Sequence, residues 1–428
     1  MVTGHTVHRR RRIAVIGSGV AGLTAAHVLR RHADVTLLEA RDRLGGHAHT
    51  HRVAAAGGGE LSVDSGFIVH NRRTYPHLLR LFRELGVPTR STEMSMSVGC
   101  DGCGLEYAGA RGLSALLPSR SRRSTAYLRM LAEVPRFHRV ARRLLDTGPP
   151  SPAREPTLAD VVRHHRFDRY FVAHFLLPLV SAVWSCPPGT ALDYPARYLF
   201  AFLRHHGMLS VWGSPSWRTV EGGSRVYVER VAASLASVRT GAPVTALART
   251  AHGVRLRAGS EELEFDAAVV ATHADQALAL LESPAPVEKE VLGAFAYSRN
   301  RTLLHTDTSV LPRDRATWAS WNHRLSSCEP DDAPVRVSYH MNRLQHLAGD
   351  EQYAVTLNDG GAVDPGRVVA AMDYAHPVYT PASVAAQRRL GELNDGVVAF
   401  AGAHHGWGFH EDGCRSGAVA AASLGVRW

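Results

Sequence analysis

Lysine is nearly absent from this 428-residue chain, although the chain is strongly basic. Of its 49 lysine and arginine residues only Lys289 is lysine, and the formal net charge is +10. The arginines are spread along the sequence, so their charge does not predict a nucleic-acid partner. The net positive charge is compatible with peripheral contact with an anionic membrane or with binding of an acidic substrate.

Long hydrophobic runs are also missing. No window offers the roughly 18 consecutive apolar residues that a membrane-spanning helix needs. The arginines at 9–12 resemble a twin-arginine export signal, but the apolar stretch after them is short and leads directly into a glycine-rich turn. We therefore expect a cytoplasmic protein.

Cysteine is scarce, and its distribution predicts no disulfide framework. The chain has five cysteines, an odd and scattered set. Cys100 and Cys103 form a C-x-x-C pair, but a structural zinc site needs two more ligands, and none is suitably spaced nearby. The sequence therefore predicts no metal site.

The most informative stretch lies near the N-terminus. Residues 13–16 form a short apolar strand, Gly17, Gly19 and Gly22 make a G-x-G-x-x-G turn, and residues 23–29 have helical apolar spacing. In a dinucleotide-binding βαβ unit the first glycine allows the tight turn, the second lets a diphosphate approach the helix N-terminus, and the third lets the helix pack on the strand.

The segment after this helix supports the same interpretation. Residues 35–38 predict a second strand that ends in Glu39, 22 residues after Gly17, where a carboxylate accepts hydrogen bonds from ribose hydroxyls. This acid argues against a 2′-phosphate. Residues 40–46 add arginines that neutralise a diphosphate and paired glycines that allow a second close approach of the backbone.

The C-terminal region completes the pattern. Residues 397–402 read as a strand, residues 403–412 as a loop, and residues 413–422 as a helix of small residues. Such a helix can direct its positive N-terminus at an electron-rich ring system.

Together these motifs resemble the FAD-binding fold of the amine oxidase and phytoene desaturase superfamily. The closer resemblance is to a bacterial subgroup described as predicted NAD/FAD-binding proteins, and it is carried by residues 63–69, 71–76, 217–225, 304–307, 318–322 and 408–413. It implies an α/β protein with a Rossmann-type, GR2-like FAD-binding domain (1–85, 217–275 and 396–428) and a discontinuous mixed α+β substrate-binding domain (86–216 and 276–395).

The resemblance also implies FAD, held non-covalently, and a set of residues around it. In the superfamily the backbone at the position of Val244 contacts adenine. The implied FAD-binding residues are Gly17, Ser18, Gly19, Ala21, Gly22, Glu39, Ala40, Arg41, Arg43, Gly45, Gly46, His47, Gly66, Phe67, Ile68, Val244, Gly402, Ala403, Phe409, His410 and Glu411.

Three positions depart from the pattern of amine oxidases. Arg301 falls where those enzymes place a lysine near flavin N5, Ala403 replaces the glutamate of an F-A-G-E motif, and Phe409 replaces a tyrosine of the aromatic cage. Arginine is not a conservative replacement for lysine. These departures weaken a primary-amine substrate and favour a neutral, hydrophobic one.

The expected function is that of an FAD-dependent oxidoreductase or redox-neutral isomerase. It would act by hydride transfer to flavin N5 on a hydrophobic small molecule such as an unsaturated acyl or polyene compound. Candidate catalytic residues are His410, Arg301 and His404. Two alternatives stay open: amine oxidation, and a non-catalytic flavin-binding partner in a lipid-modifying complex. The sequence does not indicate an oligomeric state.

Because residues 374–379 contain no cysteine where some amine oxidases tether FAD, the flavin is expected to be released by acid precipitation. The absorbance of the supernatant and of the washed pellet measures this release. Yellow colour that stays with the pellet would contradict non-covalent binding.

Overall fold

The computed structural model describes residues 9–55, 58–118, 121, 124–148, 155–210, 213–329 and 333–428. Its strands in this part of the chain are β1 (Arg11–Ile16), β2 (Ala33–Leu38), β3 (Thr50–Ala54), β4 (Glu60–Asp64), β5 (Val69–Asn71), β6 (Thr89–Thr92), β7 (Met96–Cys100), β8 (Glu106–Gly109), β9 (Trp217–Val220), β10 (Ser237–Arg239), β11 (Val244–Thr250), β12 (Gly253–Ala258), β13 (Glu261–Phe265), β14 (Ala267–Val270), β15 (Ala296–His305), β16 (Trp321–Leu325), β17 (Arg336–His340), β18 (Ala354–Leu357), β19 (Val368–Val378) and β20 (Val398–Phe400).

The helices are spread unevenly among these strands, and seven of them follow one another between β8 and β9. They are α1 (Val20–Leu29), α2 (Pro76–Leu85), α3 (Leu113–Leu116), α4 (Thr125–Asp146), α5 (Leu158–His164), α6 (Arg169–Phe171), α7 (Leu177–Trp184), α8 (Pro188–Leu192), α9 (Ala196–His205), α10 (Arg225–Ala233), α11 (Ala274–Leu280), α12 (Pro286–Gly293), α13 (Met341–Gln345), α14 (Pro381–Gln387) and α15 (His410–Ser423). A π-helical turn, Val172–Leu176, joins α6 to α7. Across the described segments, we find no helix with the length and apolarity to span a bilayer.

A parallel five-stranded sheet lies at the centre of the predicted nucleotide-binding region. Its strand order is β10-β2-β1-β14-β20, and all four pairings are parallel. Helix α1 crosses over between β1 and β2 and is buried along its whole length. This is the arrangement of a Rossmann-type unit, and its strands come from three separate stretches of the chain.

Helix α15 packs against α1 and begins earlier than the sequence predicted. It begins at His410, not at Gly413, because the Asp412 Oδ2 atom accepts a hydrogen bond from the Phe409 N–H (3.1 Å) and thereby caps the first turn. Small residues make the contact with α1 close: a Cβ on Gly417 would lie 2.2 Å from the Ala21 carbonyl oxygen.

The second major sheet has seven strands in the order β19-β15-β18-β17-β16-β7-β8. It is antiparallel except for the parallel pair β16–β7. Strands β7 and β8 precede α3, whereas the other five come from the second half of the chain. The two insertions between the nucleotide-binding segments therefore share one sheet.

The two faces of this sheet differ in their surroundings. A row of directly paired residues crosses the strands on one face, and it comprises Val98, His323, Val337, Leu357, Thr302 and Met372. We call this the inner face, because Val98 and Val337 pack against the helical region between α4 and α9. Alternation along each strand places the neighbouring residues on the outer face.

Candidate functional site

The glycine-rich turn joins β1 to α1 with the geometry that the motif predicts. The Gly17 N–H donates to the Leu38 carbonyl (2.8 Å), and Gly19 precedes the first residue of α1. A Cβ on Gly22 would lie 1.9 Å from the Gly17 carbonyl oxygen, whereas a Cβ on Gly19 would meet no atom within 4 Å. The helix N-terminus therefore faces open space, which suits an anion such as a diphosphate.

Glu39 lies directly beside this turn. Its Oε2 atom accepts hydrogen bonds from the Ser18 N–H (2.9 Å) and the Ser18 hydroxyl (2.5 Å), and its Oε1 atom accepts one from the Arg41 N–H (3.0 Å). The Ala242 N–H donates to the Glu39 carbonyl (2.9 Å). This bond brings the start of β11, whose first residue is Val244, next to Glu39. This edge suits the ribose and adenine end of a nucleotide.

The loop after Ala40 folds back onto the same turn. The Gly45 N–H donates to the Ser18 hydroxyl (3.1 Å), and a Cβ on Gly46 would lie 3.1 Å from the Gly19 Cα atom. Arg43 donates to the Gly46 carbonyl (2.9 Å) and keeps a second guanidinium nitrogen, Nη2, without a partner among the described residues. The loop therefore presents a cation next to the helix N-terminus, as expected for diphosphate binding.

His47 follows this loop in the sequence and lies near two other histidines. Its ring centroid lies 5.4 Å from that of His376 and 6.3 Å from that of His273, and Tyr374 is 4.9 Å away. We call His47, His273 and His376 the histidine group. Burial holds the pKa of His47 well below its ordinary value and lowers the pKa of His376 to about 4, so both rings are neutral near pH 7.

Residues 65–68 pack against the backbone of His47. The Phe67 N–H donates to the His47 carbonyl (2.8 Å), and a Cβ on Gly66 would lie 2.1 Å from that carbonyl oxygen. The Phe67 ring stacks on His410 with 3.6 Å between centroids, and Ile68 is buried behind it. The required glycine fixes how closely this segment approaches His47.

Buried polar atoms provide a test of whether FAD fits here. Among the described residues, no partner is found for the Nε2 atoms of His47, His404 and His405 or for the Trp407 Nε1 atom. A buried polar group without a partner is costly, so such atoms point to a bound polar molecule. Together with the open space at Gly19 and the Glu39 carboxylate, they fit a flavin dinucleotide.

Comparison with known proteins identifies the family. The family model described as flavin containing amine oxidoreductase matches residues 20–303, which is more than half of the chain. The chain belongs to this family. It is accordingly an FAD-dependent oxidoreductase, which confirms the predicted cofactor and enzyme class.

Curated relatives share moderate identity with this flavin amine oxidoreductase. It is 29% identical over 345 residues to the putative flavin-containing monoamine oxidase AofH of Mycobacterium tuberculosis, a match that covers 76% of this chain and 70% of AofH. It is 30% identical over 243 residues to the coproporphyrinogen III oxidase of Mycobacterium leprae, covering 52% of this chain and 50% of that one.

Solved structures share the fold at low identity. Cyclohexylamine oxidase from Brevibacterium oxydans IH-35A superposes with a TM-score of 0.67 at 17% identity, covering 97% of this chain and 98% of that one. A CLA-producing fatty acid isomerase from P. acnes gives 0.67 at 15% identity, covering 95% and 97%. These likenesses confirm the predicted fold class.

Arg301 and Asn300 lie on opposite faces of β15. Arg301 is exposed on the outer face, opposite Asp373 in the register with β19, whereas Asn300 lies on the inner face and its Nδ2 atom contacts His376 Nδ1 (3.0 Å). Adjacent residues of a strand point to opposite faces, so Asn300 and not Arg301 contacts the histidine group. A catalytic role for Arg301 stays a prediction.

The Glu411 carboxylate caps another helix. It accepts hydrogen bonds from the N–H groups of His77 (3.1 Å) and Leu78 (3.0 Å) at the start of α2, and its Oε1 atom contacts the His77 ring (2.7 Å). Both carboxylate oxygens thus join α15 to α2, and a contact between Glu411 and the cofactor stays a prediction.

The two candidate catalytic histidines are held by packing. His410 stacks on Phe67, its Nε2 atom lies 3.1 Å from the Tyr227 hydroxyl, and burial lowers its pKa to about 3. His404 packs against Phe295 at 5.1 Å, and burial holds its pKa well below the ordinary value. Both are neutral near pH 7, and a catalytic role for either stays a prediction.

The remaining C-terminal candidates lie around the start of α15. The Gly402 N–H donates to the Ser416 hydroxyl (3.0 Å), and Ala403 begins a short 3-10 turn, Ala403–His405. Phe409 stacks on Phe202 with 4.9 Å between ring centroids. Phe409 thus belongs to an aromatic wall shared with α9.

Sequence reasoning missed Asn300, His273, Tyr374 and His376 as members of the site. Tyr374 and His376 alternate toward the inner face, and this spacing is visible in the sequence. The sequence near Cys100 and Cys103 offers no further ligand at a suitable spacing, whereas the fold brings the distant residues His174 and Cys328 to them.

Two glycine substitutions should separate cofactor binding from folding. Gly19→Val places a side chain in the open space at the helix N-terminus, so we expect a folded protein that purifies without FAD. Gly22→Val forces a Cβ against the Gly17 carbonyl, so we expect loss of the folded protein itself. Flavin absorbance and circular dichroism measure the two effects, and full FAD occupancy of Gly19→Val would contradict the site.

Glu39→Ala should weaken FAD retention while leaving the fold intact. Losing charge-assisted hydrogen bonds to the ribose costs on the order of 1.5 to 3 kcal/mol. The dissociation constant for FAD, measured by flavin fluorescence during reconstitution, should rise accordingly. Glu60→Ala, at an exposed carboxylate of β4, is the matched control and should bind FAD as the unaltered protein does.

The buried neutral histidines should make the protein sensitive to acid. The pKa values of about 4 for His376 and about 3 for His323 lie below the unfolded value of about 6.5, so only the unfolded state takes up protons as the pH falls below that value. Stability is full above about pH 6.5 and should fall by about 1.4 kcal/mol per pH unit for each such histidine.

Urea unfolding of the holoenzyme between about pH 7 and pH 5 measures this dependence. His323→Gln should reduce the slope, whereas His252→Gln, at an exposed turn residue, should not. A free energy of unfolding that is constant over this interval would contradict the neutral state of the buried rings.

Proposed function

We propose that this FAD-dependent enzyme acts on a hydrophobic, unsaturated carboxylic acid. The observation that carries the proposal is a cavity of about 480 Å³ at one end of the seven-stranded sheet, a size suited to a small-molecule ligand. Apolar side chains and arginines both line it. The principal lining residues are Pro188, Leu325, Val335, Arg301, Arg324 and Arg336.

The charge of this cavity favours an anion. Arg324 and Arg336 share the carboxylate of Asp101, Arg324 also pairs with Glu106 (3.4 Å), and Asp359 is the acidic residue of the lining. For Arg301 we find no ion pair among the residues that the structure describes. Arg301 is therefore available to bind a substrate carboxylate.

A chain of hydrogen bonds connects this cavity to the histidine group. Asn358 lines the cavity and donates from Nδ2 to Asn300 Oδ1 (2.7 Å), and Asn300 donates from Nδ2 to His376 Nδ1 (3.0 Å). Because His376 Nδ1 accepts this bond, the neutral ring carries its proton on Nε2. Asn358 and Asn300 thus connect the lining of the cavity to His376.

The electrostatics of this path oppose a cationic substrate. The histidines along it are neutral near pH 7, and the charges at its outer end are mainly positive. Among the described lining residues an ammonium group would have Asp359 as its carboxylate partner and would face three arginines, which is unfavourable. An acyl chain, in contrast, contributes roughly 0.8 kcal/mol for each buried methylene.

Bound FAD supplies a hydride acceptor at N5. The side chains of this enzyme bind the carboxylate at Arg301, orient the neutral His376 ring through Asn300, and exclude water by burial. A substrate that loses a hydride and a proton, with the electrons passing to an acceptor such as oxygen, becomes desaturated. A substrate that recovers the hydride at another carbon has a shifted double bond.

Amine oxidation is the competing function. It is supported by the names of two similar proteins, the monoamine oxidase AofH and cyclohexylamine oxidase. The tyrosines at 198 and 379 also lie 5.1 Å apart, near Gly408, and resemble an aromatic pair beside a flavin. The arginine-lined cavity is what favours the acid.

A matched pair of ligands tests the proposal. We expect linoleic acid to perturb the flavin absorbance of the anaerobic holoenzyme, whereas linoleyl amine, with the same chain, neither perturbs nor bleaches it. Arg301→Gln should raise the dissociation constant for the acid by roughly tenfold or more, because a charge-assisted hydrogen bond is lost.

Arg299→Gln is the matched control, since Arg299 is exposed on the same strand but does not line the cavity. It should bind the acid as the unaltered enzyme does. Rapid anaerobic reduction of the flavin by the amine, with no response to the acid, would establish amine oxidation and overturn the proposal.

A further inference from the structure

Four side chains of types that can bind a metal ion converge where β7, β16 and the π-helical turn Val172–Leu176 meet. They are Cys100, Cys103, His174 and Cys328, and their ligand atoms all lie within 4.8 Å of one another. The Sγ atoms of Cys100 and Cys328 are 3.8 Å apart, and Cys103 Sγ lies 3.6 Å from His174 Nε2. None of these cysteines is in a disulfide.

These spacings agree with tetrahedral coordination of zinc. With Zn–S bonds of about 2.3 Å and Zn–N bonds of about 2.0 Å, a tetrahedron places two sulfurs about 3.8 Å apart and a sulfur and a nitrogen about 3.5 Å apart. Three thiolates and one imidazole are soft and intermediate donors, which select zinc over magnesium or calcium.

The C-x-x-C pair forms a compact knuckle at the turn between β7 and β8. The Cys100 N–H donates to the Leu105 carbonyl (2.8 Å), and the Gly104 N–H donates to the Cys100 carbonyl (2.9 Å). Gly104 has φ +69°, a left-handed conformation that favours glycine. This turn holds both sulfurs on one side, toward Cys328.

His174 is oriented by its own backbone. It lies in the π-helical turn Val172–Leu176, and its Nδ1 atom is 3.1 Å from the Tyr170 carbonyl oxygen. A carbonyl can only accept, so Nδ1 carries the proton and the Nε2 lone pair points toward Cys103. A metal-bound histidine commonly has this second hydrogen bond.

We propose that Cys100, Cys103, Cys328 and His174 bind one structural Zn²⁺ ion. Binding of the ion by three thiols and a neutral imidazole releases three protons to solvent and leaves a complex with a net charge of −1. All four positions are filled by protein ligands, which is typical of a structural site, not a catalytic one.

The ion would join two insertions that are distant in sequence. Cys100, Cys103 and His174 precede the segment of β9, whereas Cys328 follows β16. Cys328 also lines a small cavity with His323 and Leu325, and these two residues line the larger arginine-bearing cavity as well. Zinc binding therefore stabilises the wall of that cavity.

Metal analysis of the tag-free holoenzyme tests the site. We expect one zinc per chain by plasma mass spectrometry. Cys103→Ser and Cys328→Ser should each reduce zinc to background, and His174→Gln should weaken zinc binding by roughly 100-fold or more. Cys186→Ala, at a buried cysteine outside the cluster, is the matched control and should retain one zinc per chain.

Two further measurements keep the test independent of folding defects and of activity. Cobalt substitution should give intense absorption bands in the red, where oxidised flavin does not absorb, as expected for tetrahedral thiolate coordination. A strong chelator should lower the melting temperature of the unaltered protein but not that of Cys103→Ser. Absence of bound metal in the unaltered protein, or a disulfide between Cys100 and Cys328 in peptide maps, would overturn the proposal.

Discussion

The close contact between α1 and the turn that precedes it is the constraint on which the nucleotide site depends. Only glycine fits at position 22, because a Cβ there would collide with the Gly17 carbonyl. This approach fixes the α1 N-terminus at the end of β1, beside Glu39 at the end of β2. The loop 43–47 folds over the same turn, and α15 packs along α1. The positions of Arg43 and His47 therefore follow from one backbone contact.

The histidine group forms a polar region that carries no net charge near pH 7. His47, His273 and His376 are half-buried side by side, and desolvation lowers the pKa of each. Their rings offer hydrogen-bonding groups without net charge near pH 7, which suits an uncharged reacting centre. Positive charge lies instead around Arg301, whose side chain is on the outer face of the sheet. This separation of charge from the histidines favours an amphipathic acid as the substrate.

The substrate region is assembled from two insertions that are separated by nucleotide-binding segments. Strands β7 and β16 pair in parallel, and the cysteine–histidine cluster joins the same two insertions beyond the end of these strands. A long loop closure is entropically costly, so a covalent or metal link between distant segments stabilises the folded state more than a local link would. A metal ion bound by the cluster would close such a loop, because Cys100 and Cys328 are 228 residues apart.

The sequence by itself determined the nucleotide-binding half of this protein. The turn glycines, Glu39 and the flanking apolar strands are local patterns, because the βαβ unit is formed by neighbouring residues. Four features were decided only by the tertiary structure. They are the face on which Arg301 lies, the capping role of Glu411, the proximity of Asn300 to His376, and the approach of His174 and Cys328 to Cys103. Each depends on strand register or on contacts between distant segments, and the spacing of residues along the chain does not encode these directly.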